Sequence, residues 1–225
     1  PASPELLASG LGGKGLATRL LYDRNPAGAD ALGPENRLIF ATGPFCGGPV
    51  WGGSRYGVFT KSPLTGFYAE SYSGGRTPEA MDRTGFDAVV LEGQADAPVA
   101  LAIHPDGCDF HDAANLWRME TYDAERAALA AYSRNEPGFG RAGAVVIGPA
   151  GENLVRSALI ANDFWRCAGR AGVGAVMGSK RVKALVFQGD RKREYADPQG
   201  VSAYARAFAK VGVENKGVKA YKALG

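Results

Sequence analysis

Glycine is the residue that most constrains how this chain can fold. The sequence has 32 glycines in 225 residues, roughly twice the usual share. They form short clusters between apolar runs instead of one flexible linker, and the three clusters that could carry chemistry lie at 10–15, 72–76 and 168–180. Because glycine accepts a positive φ and a close backbone approach, this spacing predicts many tight turns, a large ligand lying on the backbone, or both.

Short apolar runs bounded by turn residues predict a domain with many strands and few helices. The Asp106-Gly107 pair between two apolar runs predicts a hairpin that carries His104 and His111 near the surface. Thr77 and Pro78 predict an N-cap and the first residue of a short helix, which Gly85 closes. Strands are predicted at 37–42, 56–61, 66–72, 86–92, 98–103, 108–111, 143–148, 157–161 and 182–188, and helices at 15–24, 77–85, 121–134 and from 197 onward, whereas 163–177 stays ambiguous.

This order lacks the regular alternation of strand and helix that builds a doubly wound sheet. We therefore predict an α+β fold of two mainly antiparallel or mixed β-sheets. After Gly189 the strand pattern gives way to a polar helical one. We expect a first domain over 1–190, its first strands missing, and a truncated start of a helical second domain over 191–225.

Charge and cysteine usage narrow the functional classes. The formal net charge is +3, from 26 basic and 23 acidic residues, which is too balanced to favour nucleic acid or a membrane surface. No apolar run reaches the roughly 20 residues of a membrane helix, and no signal peptide is recognisable. The cysteines, Cys46, Cys108 and Cys167, have neither metal-ligand nor disulfide spacing, so a cytoplasmic setting is expected.

Each glycine cluster, taken alone, can be explained as a helix cap or a turn without a ligand. The first is no Walker A loop, because Ala8 replaces its first glycine and Gly15 follows Lys14. The third has the spacing of a dinucleotide fingerprint with Asp190, but it lacks the strand–loop–helix context. Basic residues stand beside glycines in these clusters, and the three together favour a large cofactor with several phosphates.

Four long motifs resemble the aldehyde ferredoxin oxidoreductase family. They are GLGGKGLATRLLYD at 10–23, FATGPFCGGPVWGGSRYGVFTKSPLTGFYAESYSGG at 40–75, FDAVVLEGQADAPV at 86–99, and VVIGPAGENLVRSALIANDFWRCAGRAGVGAVMGSKRVKAL at 145–185. The resemblance runs from about Leu6 to Gly189. It implies the N-terminal domain of an oxidoreductase of anaerobic metabolism, in which two β-sheets form the base for a tungsten ion held by two pyranopterins.

The same resemblance implies further groups and partners. A magnesium ion would bridge the pterin phosphates, and a 4Fe-4S cluster would pass electrons from aldehyde oxidation to ferredoxin. The family's cluster cysteines and its proposed acid/base Glu and His lie beyond this domain, so no iron–sulfur ligand and no catalytic residue is assigned here, and this part alone is expected to be inactive. Homodimers are common in the family, which predicts a homo-oligomer.

The matching motifs imply which positions of this sequence correspond to the family's cofactor contacts. Arg55 matches the basic residue between pterin and cluster, and two glycine-rich segments match the pterin and magnesium contacts. Backbone carbonyls of Tyr72 and Ala168 are the expected magnesium ligands. Tyr72 stands where some members have Asn, and Lys14 stands where Arg is common. The cofactor-binding candidates are Arg55, Tyr72, Ser73, Gly74, Gly75, Ala168, Gly169, Arg170, Ala171 and Gly172.

Two other functions stay open on the sequence. The tungsten subunits of benzoyl-CoA reductases belong to the same family, and the pterin motifs do not distinguish them. A non-catalytic module that binds a phosphate-bearing ligand is an alternative of another class. Neither tungsten versus molybdenum nor the size of the aldehyde follows from these motifs.

Overall fold

The computed structural model describes residues 3–224, whose strands form two sheets. The smaller sheet has four antiparallel strands in the order β3-β2-β1-β4, with Ile39 opposite Phe59 and Val90 on either side. These strands are β1 (Leu38–Thr42), β2 (Arg55–Lys61), β3 (Tyr68–Gly74) and β4 (Ala88–Leu91).

The larger sheet has six strands in the order β6-β5-β10-β7-β8-β9, of which β5 and β10 are parallel and all other neighbours antiparallel. Its strands are β5 (Val99–His104), β6 (Gly107–Asp112), β7 (Gly143–Val146), β8 (Ile160–Asn162), β9 (Arg166–Ala168) and β10 (Val182–Phe187). The predicted α+β class with two mainly antiparallel or mixed sheets is confirmed.

Helices are short and lie around the sheets. They are α1 (Pro4–Gly10), α2 (Gly13–Arg24), α3 (Thr77–Arg83), α4 (Thr121–Tyr132), α5 (Pro149–Glu152), α6 (Val173–Ser179), α7 (Pro198–Glu214) and α8 (Lys216–Leu224), with a 3₁₀ turn at Ala114–Leu116. As expected for a helix beginning at Asp197-Pro198, the Asp197 carboxylate accepts from the Gly200 N–H. Among residues 3–224, no helix is both long and apolar enough to cross a bilayer.

The apolar core lies mainly between the two sheets. One face of the four-stranded sheet and one face of the six-stranded sheet bury side chains there together with α6. The opposite face of the smaller sheet packs on α2, and the opposite face of the larger sheet packs on α4. Strand residues alternate between faces, so each sheet has apolar side chains on both faces. The fold therefore has four layers of secondary structure, which are α2, the four-stranded sheet, the six-stranded sheet and α4.

The third glycine cluster is needed for packing in this core. A Cβ on Gly172 or Gly174 would lie 2.1 or 2.2 Å from the carbonyl oxygens of Arg156 and Leu159. A Cβ on Gly178 would lie 2.0 Å from the Gly151 carbonyl oxygen in α5. Real Cβ atoms do not come so close to backbone, so these glycines let α6 fit against its neighbours.

Two local predictions were wrong. Thr77 is the first residue of α3 and not its cap, and its hydroxyl lies near the Ala144 carbonyl. His104 is 6% exposed and therefore buried, and its Nε2 atom lies 2.7 Å from the Arg134 guanidinium. The hairpin that carries His104 and His111 is present as predicted.

A buried ion pair connects α5 to the six-stranded sheet. Lys183 Nζ on β10 donates to Glu152 Oε1 at 2.5 Å and to the Met119 carbonyl at 2.8 Å. The side chains are 0% and 3% exposed. The Glu152 carboxylate also accepts from the backbone N–H of Arg118, so the pair joins three separate segments.

We expect Lys183→Met to lower the unfolding free energy by about 3–5 kcal/mol, because Glu152 would remain as a buried charge without its cation. Urea unfolding measures this change. The double variant Lys183→Met/Glu152→Gln should recover part of the loss. Equal losses in the single and double variants would contradict a stabilising pair.

Lys180 is a second buried lysine, with no carboxylate bonded to it in the described residues. Its Nζ donates to the carbonyls of Gly93 at 2.9 Å and Pro34 at 3.3 Å, and burial lowers its pKa to about 8. The folded protein therefore releases this proton at a lower pH than the unfolded chain does.

The free energy of unfolding should therefore rise with pH between about 8 and 10. Lys180 should contribute on the order of 1–3 kcal/mol to this rise. Denaturant unfolding at several pH values tests this, with Lys180→Met as the comparison. The difference in unfolding free energy between the two proteins should change across this window, and a constant difference would contradict the shift.

Candidate functional site

The Tyr72–Gly75 segment lies on a free edge of the four-stranded sheet. In an antiparallel ladder, every second residue directs its N–H and C=O to the partner strand. The bond from Ser62 N to Phe67 O, 2.8 Å long, sets this alternation, and the β2–β3 register then places the backbone groups of Tyr72 and Gly74 on the outer edge. The Tyr72 carbonyl thus points away from β2, where a ligand could reach it.

The Ala168–Gly172 segment lies beside that edge. The backbone N–H of Arg170 donates to Ser71 Oγ at 3.0 Å, and Ser62 Oγ donates to the Ala171 carbonyl at 2.8 Å. Ala168 is buried, whereas Gly169 and Arg170 are exposed. The two glycine-rich segments that the sequence proposed as one site are therefore adjacent, although 92 residues lie between Gly75 and Ala168 in the chain.

Asn162 joins the two sheets at this place. Its Oδ1 accepts from Tyr56 OH at 3.0 Å and from Ser73 Oγ at 2.6 Å. Its Nδ2 donates to the Gly74 carbonyl at 2.9 Å and to Asp163 Oδ2 at 3.0 Å. The side chain is fully buried, and the carboxamide uses both donors and both lone pairs, which fixes the position of Ser73 and Gly74.

Asp163 caps α3. Its Oδ2 accepts from the backbone N–H groups of Arg76 at 2.7 Å and Thr77 at 3.0 Å. A protein carboxylate therefore already occupies the N-terminal end of α3, which is not open to a ligand. A Cβ on Gly75 would lie 2.2 Å from the same oxygen, and Gly75 has a φ of +100°, so its backbone and the carboxylate both require glycine here.

The turn that contains Asp163 has an unusual backbone conformation, which a hydrogen bond to Glu125 stabilises. Asp163 and Phe164 both have left-handed φ values, 47° and 66°, which residues other than glycine seldom adopt. Glu125 Oε2 on α4 accepts from the Phe164 N–H at 2.8 Å. Burial raises the pKa of this Glu125 carboxyl, against the backbone hydrogen bonds that lower it.

Four exposed arginines occur on the segments that meet here. Arg55 begins β2, Arg76 follows β3, and Arg166 and Arg170 flank the end of β9. None of them forms an ion pair with any residue from 3 to 224. The Arg55 guanidinium lies close to Gly74, where a Cβ would be 2.3 Å from its NH1 atom. Guanidinium groups without carboxylate partners suit an anionic ligand.

Lys14, in contrast, is already paired. Its Nζ lies 2.8 Å from Glu70 Oε2, and Glu70 also accepts from the hydroxyls of Tyr68 and Tyr72. These three donors lower the pKa of the Glu70 carboxyl, with Lys14 as the main cause. The first glycine cluster instead packs on the backbone of residues 42–44, so its role here is in packing.

Sequence reasoning missed Asn162, Asp163 and Glu125. The first two fall where the predicted strand ends and the ambiguous stretch begins, so the only local signal was a polar Asn-Asp pair directly after an apolar run. The three cysteines are free thiols. Cys46 is buried and donates to the Pro78 carbonyl at 3.2 Å, and burial raises its pKa to about 12, while Cys108 and Cys167 are exposed.

Comparison with known proteins identifies the family of this chain. The family model described as "Aldehyde ferredoxin oxidoreductase, N-terminal domain" matches residues 1–189. The chain is 45% identical over 195 residues to the tungsten-containing aldehyde ferredoxin oxidoreductase of Thermococcus kodakarensis and 44% identical over 195 residues to that of Pyrococcus furiosus. Each alignment covers 87% of this chain and 31% of the relative.

A solved structure gives the same result. The active-site complex BamBC of benzoyl coenzyme A reductase, in complex with 1,5-dienoyl-CoA, superposes with a TM-score of 0.86 at 34% identity. The match covers 95% of this chain and 32% of that one. The chain therefore spans about a third of its relatives' length, and by sequence and fold it belongs to the aldehyde ferredoxin oxidoreductase family, of which it carries the N-terminal domain.

Proposed function

We propose that this chain is the pterin-binding base of a tungsten-dependent oxidoreductase that converts aldehydes to carboxylic acids with ferredoxin as electron acceptor. The observation that carries the proposal is the meeting of two glycine-rich segments and four unpaired arginines at one junction of the sheets. Family membership supports tungsten, since the relatives are named as tungsten-containing.

The residues at the junction fit a cofactor with several phosphates. Arginine can donate two parallel hydrogen bonds to a phosphate, and Arg55, Arg76, Arg166 and Arg170 have no competing carboxylate within the described residues. The outward Tyr72 carbonyl is an oxygen ligand of the kind that magnesium prefers. We propose the backbone carbonyls of Tyr72 and Ala168 as the magnesium contacts, and residues 72–75 and 168–172 as the pterin cradle.

In this proposal the chain binds and orients, and the cofactors carry the redox chemistry. When bound, the tungsten centre would oxidise the aldehyde, and an iron–sulfur cluster held by residues elsewhere in the protein would pass the electrons to ferredoxin. Arg55 would lie between pterin and cluster, where its positive charge favours reduced, more negative states. Asn162 and Asp163 would hold the cradle in place without contacting the ligand.

A second candidate is the tungsten subunit of a benzoyl-CoA reductase. It is favoured by the superposition on the benzoyl coenzyme A reductase complex, which covers nearly the whole chain. Both candidates need the same pterin base, so residues 3–224 do not decide between an aldehyde and a CoA thioester. Homo-oligomerisation and a cytoplasmic location remain predictions.

The arginine double variant Arg166→Gln/Arg170→Gln in the full-length protein should bind tungsten and pterin at least tenfold more weakly, because each lost charge-assisted hydrogen bond contributes about 1.5–3 kcal/mol. Elemental mass spectrometry for tungsten, molybdenum and iron, with pterin fluorescence, measures the loading per polypeptide.

Arg206→Gln is the matched control, because Arg206 is exposed on α7 and also lacks an ion pair among the described residues. Full tungsten loading of the double variant would contradict the proposed cradle. Molybdenum in place of tungsten would keep the site and change the metal. Absence of both metals and of pterin, in native protein from cells grown with tungstate, would favour a phosphate-binding module instead.

Asn162→Asp should lower the unfolding free energy by about 1–3 kcal/mol, because the Gly74 carbonyl loses its donor and a second carboxylate arrives beside Asp163. Urea unfolding of the metal-free protein checks this, and tungsten content reports the effect on the cradle. Asn153→Asp changes the same atoms at an exposed position and should leave both quantities unchanged. Equal effects at the two positions would argue against a special role for Asn162.

A further inference from the structure

Two serines of the β2–β3 hairpin hold the second glycine-rich segment from outside it. Ser71 Oγ accepts from the backbone N–H of Arg170 at 3.0 Å, and Ser62 Oγ donates to the Ala171 carbonyl at 2.8 Å. Both serines are buried. They therefore bind the two peptide groups that lie on either side of the peptide joining Arg170 to Ala171.

The Ser62 hydroxyl has its full bonding capacity in use. A hydroxyl has one hydrogen and two lone pairs. The hydrogen goes to the Ala171 carbonyl, and the oxygen accepts from the backbone N–H groups of Leu64 and Thr65, both at 3.1 Å. The turn is closed by the bond from Ser62 N to Phe67 O at 2.8 Å. The hydroxyl therefore holds the segment against an ordered turn.

Ser71 is supported by a strand instead of a turn. It lies opposite Val58 in the β2–β3 ladder, and the alternation along β3 directs its backbone groups to β2. Its side chain thus extends from a paired strand position, which fixes a contact more closely than a loop position does.

The segment needs outside support because its backbone is strained. Ala171 has a φ of 63° and Gly172 a φ of 71°, so two successive residues are left-handed. A residue with a Cβ seldom adopts this conformation, and it persists only where the surrounding structure holds it. Loss of a serine contact should therefore let the segment relax.

The peptide between the two serine contacts is free. Neither the Arg170 carbonyl nor the Ala171 N–H has a hydrogen-bond partner among residues 3–224. Ala171 is partly exposed, so a ligand can approach it. An ionised phosphate oxygen only accepts hydrogen bonds, and of these two groups it can therefore use the N–H alone.

We propose that Ser62 and Ser71 are positioning residues of the cofactor site, which hold residues 169–172 so that the Ala171 N–H donates to a phosphate of the bound pterin. This inference rests on the proposed function. The serines act through the segment and do not contact the ligand, since their hydroxyls are buried against it.

Amide hydrogen exchange in the full-length protein, from cells grown with and without tungstate, tests the arrangement. The Arg170 amide should exchange slowly in both forms, because Ser71 already binds it. The Ala171 amide should exchange on the order of tenfold more slowly in the loaded form. Equal exchange of the Ala171 amide in the two forms would overturn the proposal. Residue-level fragmentation distinguishes these neighbouring amides, and Arg170 serves as the internal control.

Substitution of Ser71 tests the positioning role. Ser71→Ala in the full-length protein should release pterin about tenfold faster, because the Arg170 N–H loses its acceptor and the segment is no longer fixed. Release is followed by pterin fluorescence. Ser71→Thr keeps the acceptor and should restore the wild-type rate, whereas a merely destabilised fold would not be rescued by the hydroxyl.

Thr84→Val is the matched control for the loss of a buried hydroxyl. Thr84 is 2% exposed, and its Oγ1 donates to the Met81 carbonyl at 2.6 Å, at the end of α3 away from the cradle. Its pterin release should match the wild type. Release from Ser71→Ala at the wild-type rate, or equally fast release from Thr84→Val, would overturn the positioning role alone. Wild-type protein without pterin would overturn the proposed function, and this inference with it.

Discussion

The hydrogen bonds of Asn162 and Asp163 hold the proposed site together. The site lies where the edges of two sheets meet. Backbone groups at a sheet edge are unpaired, so they do not hold one edge in a fixed position against the other. Asn162 satisfies groups from both sheets with one buried carboxamide. Asp163 adds the cap of α3. Because a buried polar group left unpaired costs about 1–3 kcal/mol, these contacts favour one arrangement of the glycine-rich segments over all others.

The high glycine content has a more ordinary origin than a phosphate cradle alone. Gly172, Gly174 and Gly178 allow backbone to approach backbone inside the core, and Gly75 makes room for the Asp163 carboxylate. Glycine here serves the packing of protein on protein first. Contact with a cofactor would then use the backbone groups that this packing leaves at the surface, such as the Tyr72 carbonyl on the edge of β3.

Charge is distributed in a way that supports the proposed function. The buried Lys183 is paired with Glu152, and the exposed Lys14 is paired with Glu70. The four arginines beside the cradle, by contrast, have no ion-pair partner among residues 3–224. Guanidinium groups without carboxylate partners on adjoining segments would be stabilised by an anionic ligand.

The sequence by itself determined the α+β class, most strands, the hairpin at Asp106-Gly107 and the family, because alternation, turn residues and long motifs are local signals. It also indicated the two cofactor segments. Only the tertiary structure decided what holds them together. The Asn162 bonds join residues 88 to 106 positions apart, and the cap of α3 comes from Asp163 instead of Thr77. The contact between His104 and Arg134 likewise joins residues 30 positions apart. Such contacts have no local signature, since they exist only once the chain has brought distant segments together.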